Sequence, residues 1–164
     1  MLDINQILVP IDFTETSERA LDYAVELARK LDAKVTVMHA YELPIYGFPD
    51  GALVASVDVA TRISQASQEG LQGALDRRKD CGVEMRAILR DGPPADEIAT
   101  VADEIGADLV VLGTHGRRGL RRAIMGSVAE EVVRACQCPV LTVHDPREPS
   151  SKRGHARSAH PAGH

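Results

Sequence analysis

The chain has 164 residues, of which 44% are hydrophobic, 26% charged and 3% aromatic, and its net charge is −5. This length and apolar content suit one compact domain and leave too few residues for two well-sized ones. The negative charge provides no overall basic field for duplex DNA, so we expect no nucleic-acid partner.

Membrane and disulfide signals are missing from the sequence. The opening MLDINQILVP lacks a basic start and a long apolar stretch, and no run of about 18 apolar residues occurs. We therefore expect a soluble, cytoplasmic protein with no membrane insertion. Three cysteines, an odd number, suit a reducing compartment. Cys136 and Cys138 lack a second pair at zinc-site spacing, so we predict free thiols and no metal site.

Two kinds of apolar pattern alternate along the first half of the chain. Short continuous apolar runs are typical of buried strands, and apolar residues three or four positions apart are typical of helices. Thr14, Thr16 and Ser17 favour a helix start after the first run. The predicted elements are a strand Gln6 to Ile11, a helix Ser17 to Leu31, a strand Lys34 to Ala40, a loop Leu43 to Gly51 and a helix from about Val57 to Arg78, weakened by Gly70 and Gly73.

The second half continues this alternation. Apolar and charged residues alternate near Val83 to Leu89, which predicts a strand towards a sheet edge, while Pro94 favours a helix start and Gly106 a helix end. The later predicted elements are a strand Leu109 to Leu112, a helix Ser127 to about Ala135 and a strand Pro139 to Val143. Residues 145–164 contain almost nothing apolar. We therefore expect a folded domain over residues 1–144 and a flexible tail over residues 145–164.

Strands that alternate with helices predict an α/β fold: a single-domain, open five-stranded parallel sheet with helices on both faces. In such sheets, ligands bind beyond the carboxyl ends of the strands, where the strand order reverses. With strand order 3-2-1-4-5, the reversal falls between the first and fourth strands. Asp12 would then face Gly113 and Gly116 across one crevice.

The glycine segment, residues 113–127, reads GTHGRRGLRRAIMGS and joins a predicted strand to a predicted helix. Glycines let the backbone adopt positive φ or approach a ligand closely, and a helix start presents free N–H groups to an anion. The segment has no acidic residue and contains Arg117, Arg118, Arg121 and Arg122. Alternatively, it is a mobile surface loop in which Ser127 and Glu130 form a capping box. The concentration of glycines and arginines favours phosphate binding.

Asp12 is a candidate ribose ligand, because a carboxylate without a cationic partner accepts hydrogen bonds from sugar hydroxyls. Its alternative role is helix capping. His39 and His115 are residue types that catalyse proton transfer, but a lone histidine at a strand end or in a loop is more often structural.

Several segments together resemble the universal stress protein family in its ATP-binding branch. They are ILVPIDFTETSERAL, VTVMHAYE, DGPPADEI, ADLVVLGTHG and CPVLTV, and they occur in the same order over about Gln6 to Val143. The glycine spacing, with two and then nine residues between glycines before a serine, is similar too. The resemblance implies an adenine nucleotide alpha hydrolase-like fold and ATP, with Mg²⁺, as the cofactor.

The same resemblance assigns site residues. Those that match the nucleoside pocket are Pro10, Ile11, Asp12, Ala40 and Leu112. Those that match the phosphate loop are Gly113, Thr114, Gly116, Gly126, Ser127 and Val128. Ala40 departs from the pattern, because the family often has a larger aliphatic residue there.

The expected function is that of a nucleotide-dependent stress-response or regulatory module, in which ATP biases the binding of an unidentified protein partner. One alternative is a slow ATPase or phosphotransferase that uses the same pocket. Another is a flavin or electron-transfer module. The sequence has no GxxxxGK[ST] loop, no identifiable general base with an orienting partner, and no Trp. We therefore expect weak ATP hydrolysis at most, and no catalytic residue is assigned.

The last predicted strand, Pro139 to Val143, lies at a sheet edge in the order 3-2-1-4-5. An apolar edge with unpaired N–H and C=O groups is normally covered, so we expect a homodimer through this strand, as the family resemblance also implies. Alternatively, the tail shields the edge, although Pro146 and Pro149 disfavour a further strand there.

Overall fold

The computed structural model describes residues 3–43, 46–47, 53–54, 57–114 and 126–144. Its strands are β1 (Gln6–Pro10), β2 (Lys34–Tyr41), β3 (Tyr46–Gly47), β4 (Leu53–Val54), β5 (Met85–Asp91), β6 (Leu109–Gly113) and β7 (Val140–Val143). Its helices are α1 (Glu15–Leu31), α2 (Val57–Asp76), α3 (Pro94–Ile105) and α4 (Ser127–Ala135).

Five of these strands form one parallel sheet in the order β5-β2-β1-β6-β7. Counted along the chain, these five strands have the order 3-2-1-4-5, so the predicted fold class and strand order are confirmed. The order reverses between β1 and β6, which pair through Ile7 with Leu109 and Leu8 with Val110. The two central strands therefore present their carboxyl ends side by side.

Helices cover both faces of the sheet because alternate strand residues point to opposite sides. Ile7 and Val9 pack with apolar residues of α1 and α2, whereas Leu8 packs with those of α3 and α4. All three side chains are fully buried. The continuous apolar run in β1 therefore reflects a strand that is buried on both faces, as predicted.

Short elements and element ends differ from the predictions. The predicted loop from Leu43 to Gly51 contains β3, which pairs antiparallel with β4. Strands of two residues are too short to produce a periodic pattern. The third predicted strand starts later than expected. It was predicted from near Val83, whereas β5 starts at Met85, just after the bond from Val35 N to Glu84 O.

Both glycines predicted to weaken the second helix lie within a continuous α2. A Cβ added at Gly70 would lie 2.7 Å from Cε1 of Phe13, whereas one added at Gly73 would meet only the tip of Arg77 at 3.3 Å. Gly70 is therefore required by a tertiary contact, which helix propensity does not reveal.

Other expectations concern the cysteines, the membrane and the tail. Cys81, Cys136 and Cys138 are free, as predicted. No helix in the described part of the chain is long and apolar enough to cross a membrane. The tail predicted over residues 145–164 lies outside the described residues.

Candidate functional site

The candidate site lies where β1 and β6 end next to each other, at the reversal of strand order. Ala40 and Leu112 pack with the cluster on the α3 and α4 face, and Pro10 shares that face with Leu8 by alternation. These three side chains come from the ends of three neighbouring strands. The structure thus brings most of the predicted nucleoside pocket to one place.

Ile11 has a different position. It is 4% exposed and packs in the cluster on the α1 and α2 face. Its N–H donates to Met38 O at 2.8 Å, and its carbonyl accepts from the ring Nδ1 of His39 at 2.7 Å. Ile11 therefore packs on the opposite face of the sheet from Ala40 and Leu112, and His39 has a structural bond there, as its sequence position suggested.

The Asp12 segment, residues 12–17, is a tightly bonded turn between β1 and α1. Asp12 Oδ1 accepts from Thr14 N at 3.1 Å and from Thr14 Oγ1 at 2.5 Å, and Asp12 N donates to Ser17 Oγ at 3.3 Å. One carboxylate oxygen holds the turn, and no described residue bonds Oδ2. Asp12 therefore has an oxygen available for a hydroxyl donor.

Thr14, and not Asp12, is the N-cap of α1, because its side chain accepts from Ser17 N at 3.3 Å. The helix consequently starts at Glu15, two residues before the predicted start. The alternative role of Asp12 as the helix cap is therefore wrong. Asp12 instead orients the capping residue, Thr14, by accepting hydrogen bonds from its N–H and its hydroxyl.

Phe13 is the strained residue of the Asp12 segment. Its φ is 63°, a left-handed conformation that costs a bulky residue roughly 1–2 kcal/mol. Its ring lies 4.5 Å from the ring of His39 and against Gly70 of α2. Phe13 was not predicted as a site residue, since an aromatic residue next to an apolar strand gives no sign of positive φ.

The ends of the glycine segment meet. Gly126 N donates to Thr114 O at 2.8 Å, so the two described residues at the ends of this segment are bonded to each other. A Cβ at Gly126 would lie 2.7 Å from that same carbonyl oxygen, and one at Gly113 would lie 2.9 Å from Thr16 Cγ2. Neither glycine has positive φ. Glycine is therefore needed at both positions for close approach and not for positive φ, and both of these reasons were considered from the sequence.

Thr114 anchors the base of the glycine segment to the sheet. It is 1% exposed, its N–H donates to Val143 O at 3.1 Å, and its Oγ1 lies 3.1 Å from Nδ1 of His144. This predicted phosphate-loop residue is thus buried between β6 and β7. No sequence pattern indicated that His144 would lie next to it.

The start of α4 has no side-chain cap from the described residues. Its N-cap is Gly126, and Ser127 is the first helical residue. The alternative interpretation of Ser127 with Glu130 as a capping box is therefore wrong, because a capping side chain must precede the first helical residue. Uncapped N–H groups and the helix dipole make this end suitable for an anion, with Val128 partly exposed beside it.

Some predicted site residues cannot be placed. Gly116, His115 and the four arginines of the glycine segment lie outside the described residues. Among the described residues, no group of three or more His, Cys, Asp or Glu side chains could hold a metal ion.

A cavity of about 140 Å³ lies at the opposite, amino-terminal end of β2 and β5. Its polar groups already bond one another: Thr36 Oγ1 accepts from Gln6 and Arg86, and Lys34 pairs with Glu84 at 2.9 Å. The carboxyl-end site, which has an open helix start and an available carboxylate oxygen, is the better candidate.

Comparison with known proteins agrees with this geometry. The model of the universal stress protein family matches residues 4–144. The chain belongs to this family. A universal stress protein of Methanocaldococcus jannaschii is 32% identical over 145 residues, which cover 87% of this chain and 84% of that one.

Solved structures of related proteins share the fold. Protein MJ0577 of M. jannaschii has a TM-score of 0.75 at 24% identity, with 89% of this chain and 99% of that chain covered. A universal stress protein solved in complex with cAMP has a TM-score of 0.63 at 29% identity, with 87% and 98% covered.

Proposed function

We propose that this universal stress protein binds ATP with Mg²⁺ in the cleft between the Asp12 segment and the glycine segment. The glycine segment and the start of α4 hold the phosphates, and Asp12 accepts hydrogen bonds from the ribose. Pro10, Ala40 and Leu112 contact the nucleoside from the sheet, and Ile11 supports them from behind.

The bond from Gly126 N to Thr114 O carries this proposal. It brings the two ends of a glycine-rich and arginine-rich segment together beside an uncapped helix start. A Cβ at Gly126 would occupy the space that allows this close approach. An anion with several oxygens fits such a cradle, because it can accept from several backbone N–H groups at once.

Two further observations support an adenine nucleotide as the ligand. Asp12 Oδ2 has no partner among the described residues, and Asp12 follows β1, the strand next to the one that leads into the glycine segment. A relative that is 29% identical was solved in complex with cAMP. The remaining family-matched residues, Gly113, Thr114, Gly116, Ser127 and Val128, belong to the proposed phosphate loop.

Calorimetric titration with ATP and Mg²⁺ tests the proposal. We expect the folded wild type to bind and Gly126→Ala to lose at least about tenfold in affinity, since one charged hydrogen bond contributes about 1.5–3 kcal/mol. Gly73→Ala is the matched control and should bind like the wild type, because its Cβ meets only a flexible arginine tip. No heat of binding from the folded wild type would refute ATP binding.

ATP hydrolysis should be slow or undetectable. Asp12 is held by Thr14, and His39 uses Nδ1 to donate to Ile11 O, so neither has the free orientation of a general base. Phosphate release at ATP excess measures turnover. Rapid multiple turnover that Asp12→Asn abolishes would instead support the phosphotransferase or ATPase alternative.

We propose that ATP regulates a protein partner by linkage. A ligand shifts a conformational equilibrium only if it binds the two states with different affinity. The three free thiols suit the reducing cytoplasm, where we place this regulation. A pull-down with and without ATP should capture a different set of proteins, and identical sets would contradict linkage.

We also propose a homodimer through β7, an edge strand of the sheet. Pro139 O and Val143 O accept bonds from β6, so the backbone of Val140 and Thr142 faces the open edge. Light scattering should give twice the chain mass, also for a chain that ends at His144. Thr142→Pro removes an outward donor and should weaken the dimer. A wild-type monomer at micromolar concentration would contradict this interface.

A further inference from the structure

Phe13 and Gly70 form a contact that the nucleotide proposal does not use. The Phe13 ring occupies the space over Gly70, where an added Cβ would lie 2.7 Å from Cε1 and 2.8 Å from Cζ. The centroid of the ring also lies 4.5 Å from that of the His39 ring, which is itself bonded to Ile11 O. The ring is therefore packed against both α2 and the end of β2.

The backbone of Phe13 needs such support. A φ of 63° is disfavoured for a bulky side chain and persists only where the surroundings impose it. Phe13 is also the central residue of the turn in which Asp12 Oδ1 accepts from Thr14 N. The orientation of the Asp12 carboxylate therefore depends on the conformation of Phe13.

We propose that Gly70 and Phe13 are positioning residues for nucleoside recognition. Gly70 leaves room for the Phe13 ring, the packed ring maintains positive φ, and the resulting turn directs Asp12 Oδ2 towards the ribose hydroxyls. A helix that supplies no predicted ligand-contacting residue thus sets the sugar specificity of the cleft. This inference rests on the proposed function and adds the structural origin of its selectivity for ribose.

The consequence is specific to the sugar. The phosphates are held by the glycine segment and the start of α4, and neither Phe13 nor Gly70 belongs to these elements. Displacement of the Phe13 ring should therefore reduce the preference for ATP over 2′-deoxy-ATP and leave binding of inorganic tripolyphosphate unchanged. A merely destabilising change would alter the melting temperature but not the ratio of the two nucleotide affinities.

The test compares Gly70→Ala with Gly73→Ala in the full chain, by calorimetry with ATP, 2′-deoxy-ATP and tripolyphosphate in the presence of Mg²⁺. Both changes replace a glycine within α2, but only the first obstructs Phe13. We expect Gly73→Ala to keep the wild-type affinity ratio, and Gly70→Ala to lower it by at least about threefold with tripolyphosphate affinity unchanged. If Gly70→Ala does not fold, Phe13→Leu, which removes the ring from above Gly70, provides the same comparison.

Each outcome decides the matter. A wild type that prefers ATP, with an equal preference in Gly70→Ala or in its substitute Phe13→Leu, would overturn the positioning role and leave the proposed function intact. A wild type that binds ATP without any preference over 2′-deoxy-ATP would also overturn it. A wild type that binds no nucleotide would overturn the proposed function, and this inference with it.

Discussion

Helices α1 and α4 begin at the same end of the sheet, beside the carboxyl ends of β1 and β6, but their first turns are capped differently. The first turn of α1 has a side-chain cap from Thr14 and two acidic residues, Glu15 and Glu18. The start of α4 has Gly126 as its N-cap, and no side chain in the described part of the chain caps it. Capped N–H groups next to carboxylates repel an anion, whereas open ones attract it. Of these two helix starts, α4 is the one suited to hold phosphate.

The largest expected effect comes from closing the open helix start. Gly126→Asp adds a capping carboxylate and a negative charge, and its Cβ meets Thr114 O. We expect ATP affinity to fall at least about a hundredfold, because two or more charged hydrogen bonds of about 1.5–3 kcal/mol are lost. Calorimetry measures the loss, and Gly126→Ala separates the steric part from the charge. Affinity equal to that of Gly126→Ala would show that the charge has no role.

The next effect separates the sugar from the phosphates. Asp12→Asn keeps an oxygen that can accept from Thr14 but removes the charge. We expect about a tenfold loss of ATP affinity, since a hydrogen bond to a charged group contributes about 1.5–3 kcal/mol. Tripolyphosphate affinity, measured in parallel by calorimetry, should not change. An equal loss for both ligands would mean that Asp12 belongs to the phosphate site.

The sequence predicted the strands and helices because buried strands and helix faces have clear periodicity, and the strand order expected for this alternation is confirmed. It did not predict which residue caps each helix. Thr14 and Ser127 both precede or begin a helical pattern, yet only Thr14 is a cap, because Gly126 rather than a polar residue occupies the cap position of α4. Which residue is the N-cap depends on the backbone conformation at one position before each helix.

Contacts between distant segments were also beyond the sequence. From helix propensity alone, Gly70 was expected to weaken the second helix. Glycine is needed there to leave room for the ring of Phe13, which lies 57 positions earlier in the chain. Thr114 was assigned to the phosphate loop, and its buried bond to Val143 O depends on the pairing of β6 with β7. Periodicity records which face of an element is apolar, but not which side chain from elsewhere fills a particular space.

A smaller effect is expected from removal of the cap of α1. Thr14→Ala loses the acceptor for Ser17 N and the donor to Asp12 Oδ1, and such a cap contributes about 1 kcal/mol. Urea denaturation should show this loss, with only a small change in tripolyphosphate affinity. Thr61→Ala, at an exposed threonine of α2 that bonds Val57 O, is the control and should change stability much less. Strongly weakened tripolyphosphate binding in Thr14→Ala would contradict the division between the two helix starts.

The smallest effect concerns the other end of α4, where an anion should be disfavoured. Cys136 is the C-cap residue, and its pKa is raised to about 11 by burial, with smaller contributions from Cys138 and Asp103. Because the folded pKa lies above the ordinary value of 9.0, the neutral thiol stabilises the fold below about pH 9. That contribution is lost as the pH rises towards 11.

Alkylation by iodoacetamide, followed by mass spectrometry in Cys138→Ala, measures this pKa at Cys136 alone. Desolvation is its main cause, so the pKa should stay raised after Cys138 is removed. We expect slow modification at pH 8 and a rise in rate well above pH 9, whereas the same chain unfolded in urea should react at lower pH, since the thiolate is the reactive form. A midpoint at or below pH 9 in the folded protein would contradict the proposed difference between the two ends of α4. An open, uncapped start and a desolvated end would together make α4 a helix that accepts negative charge at its first turn only.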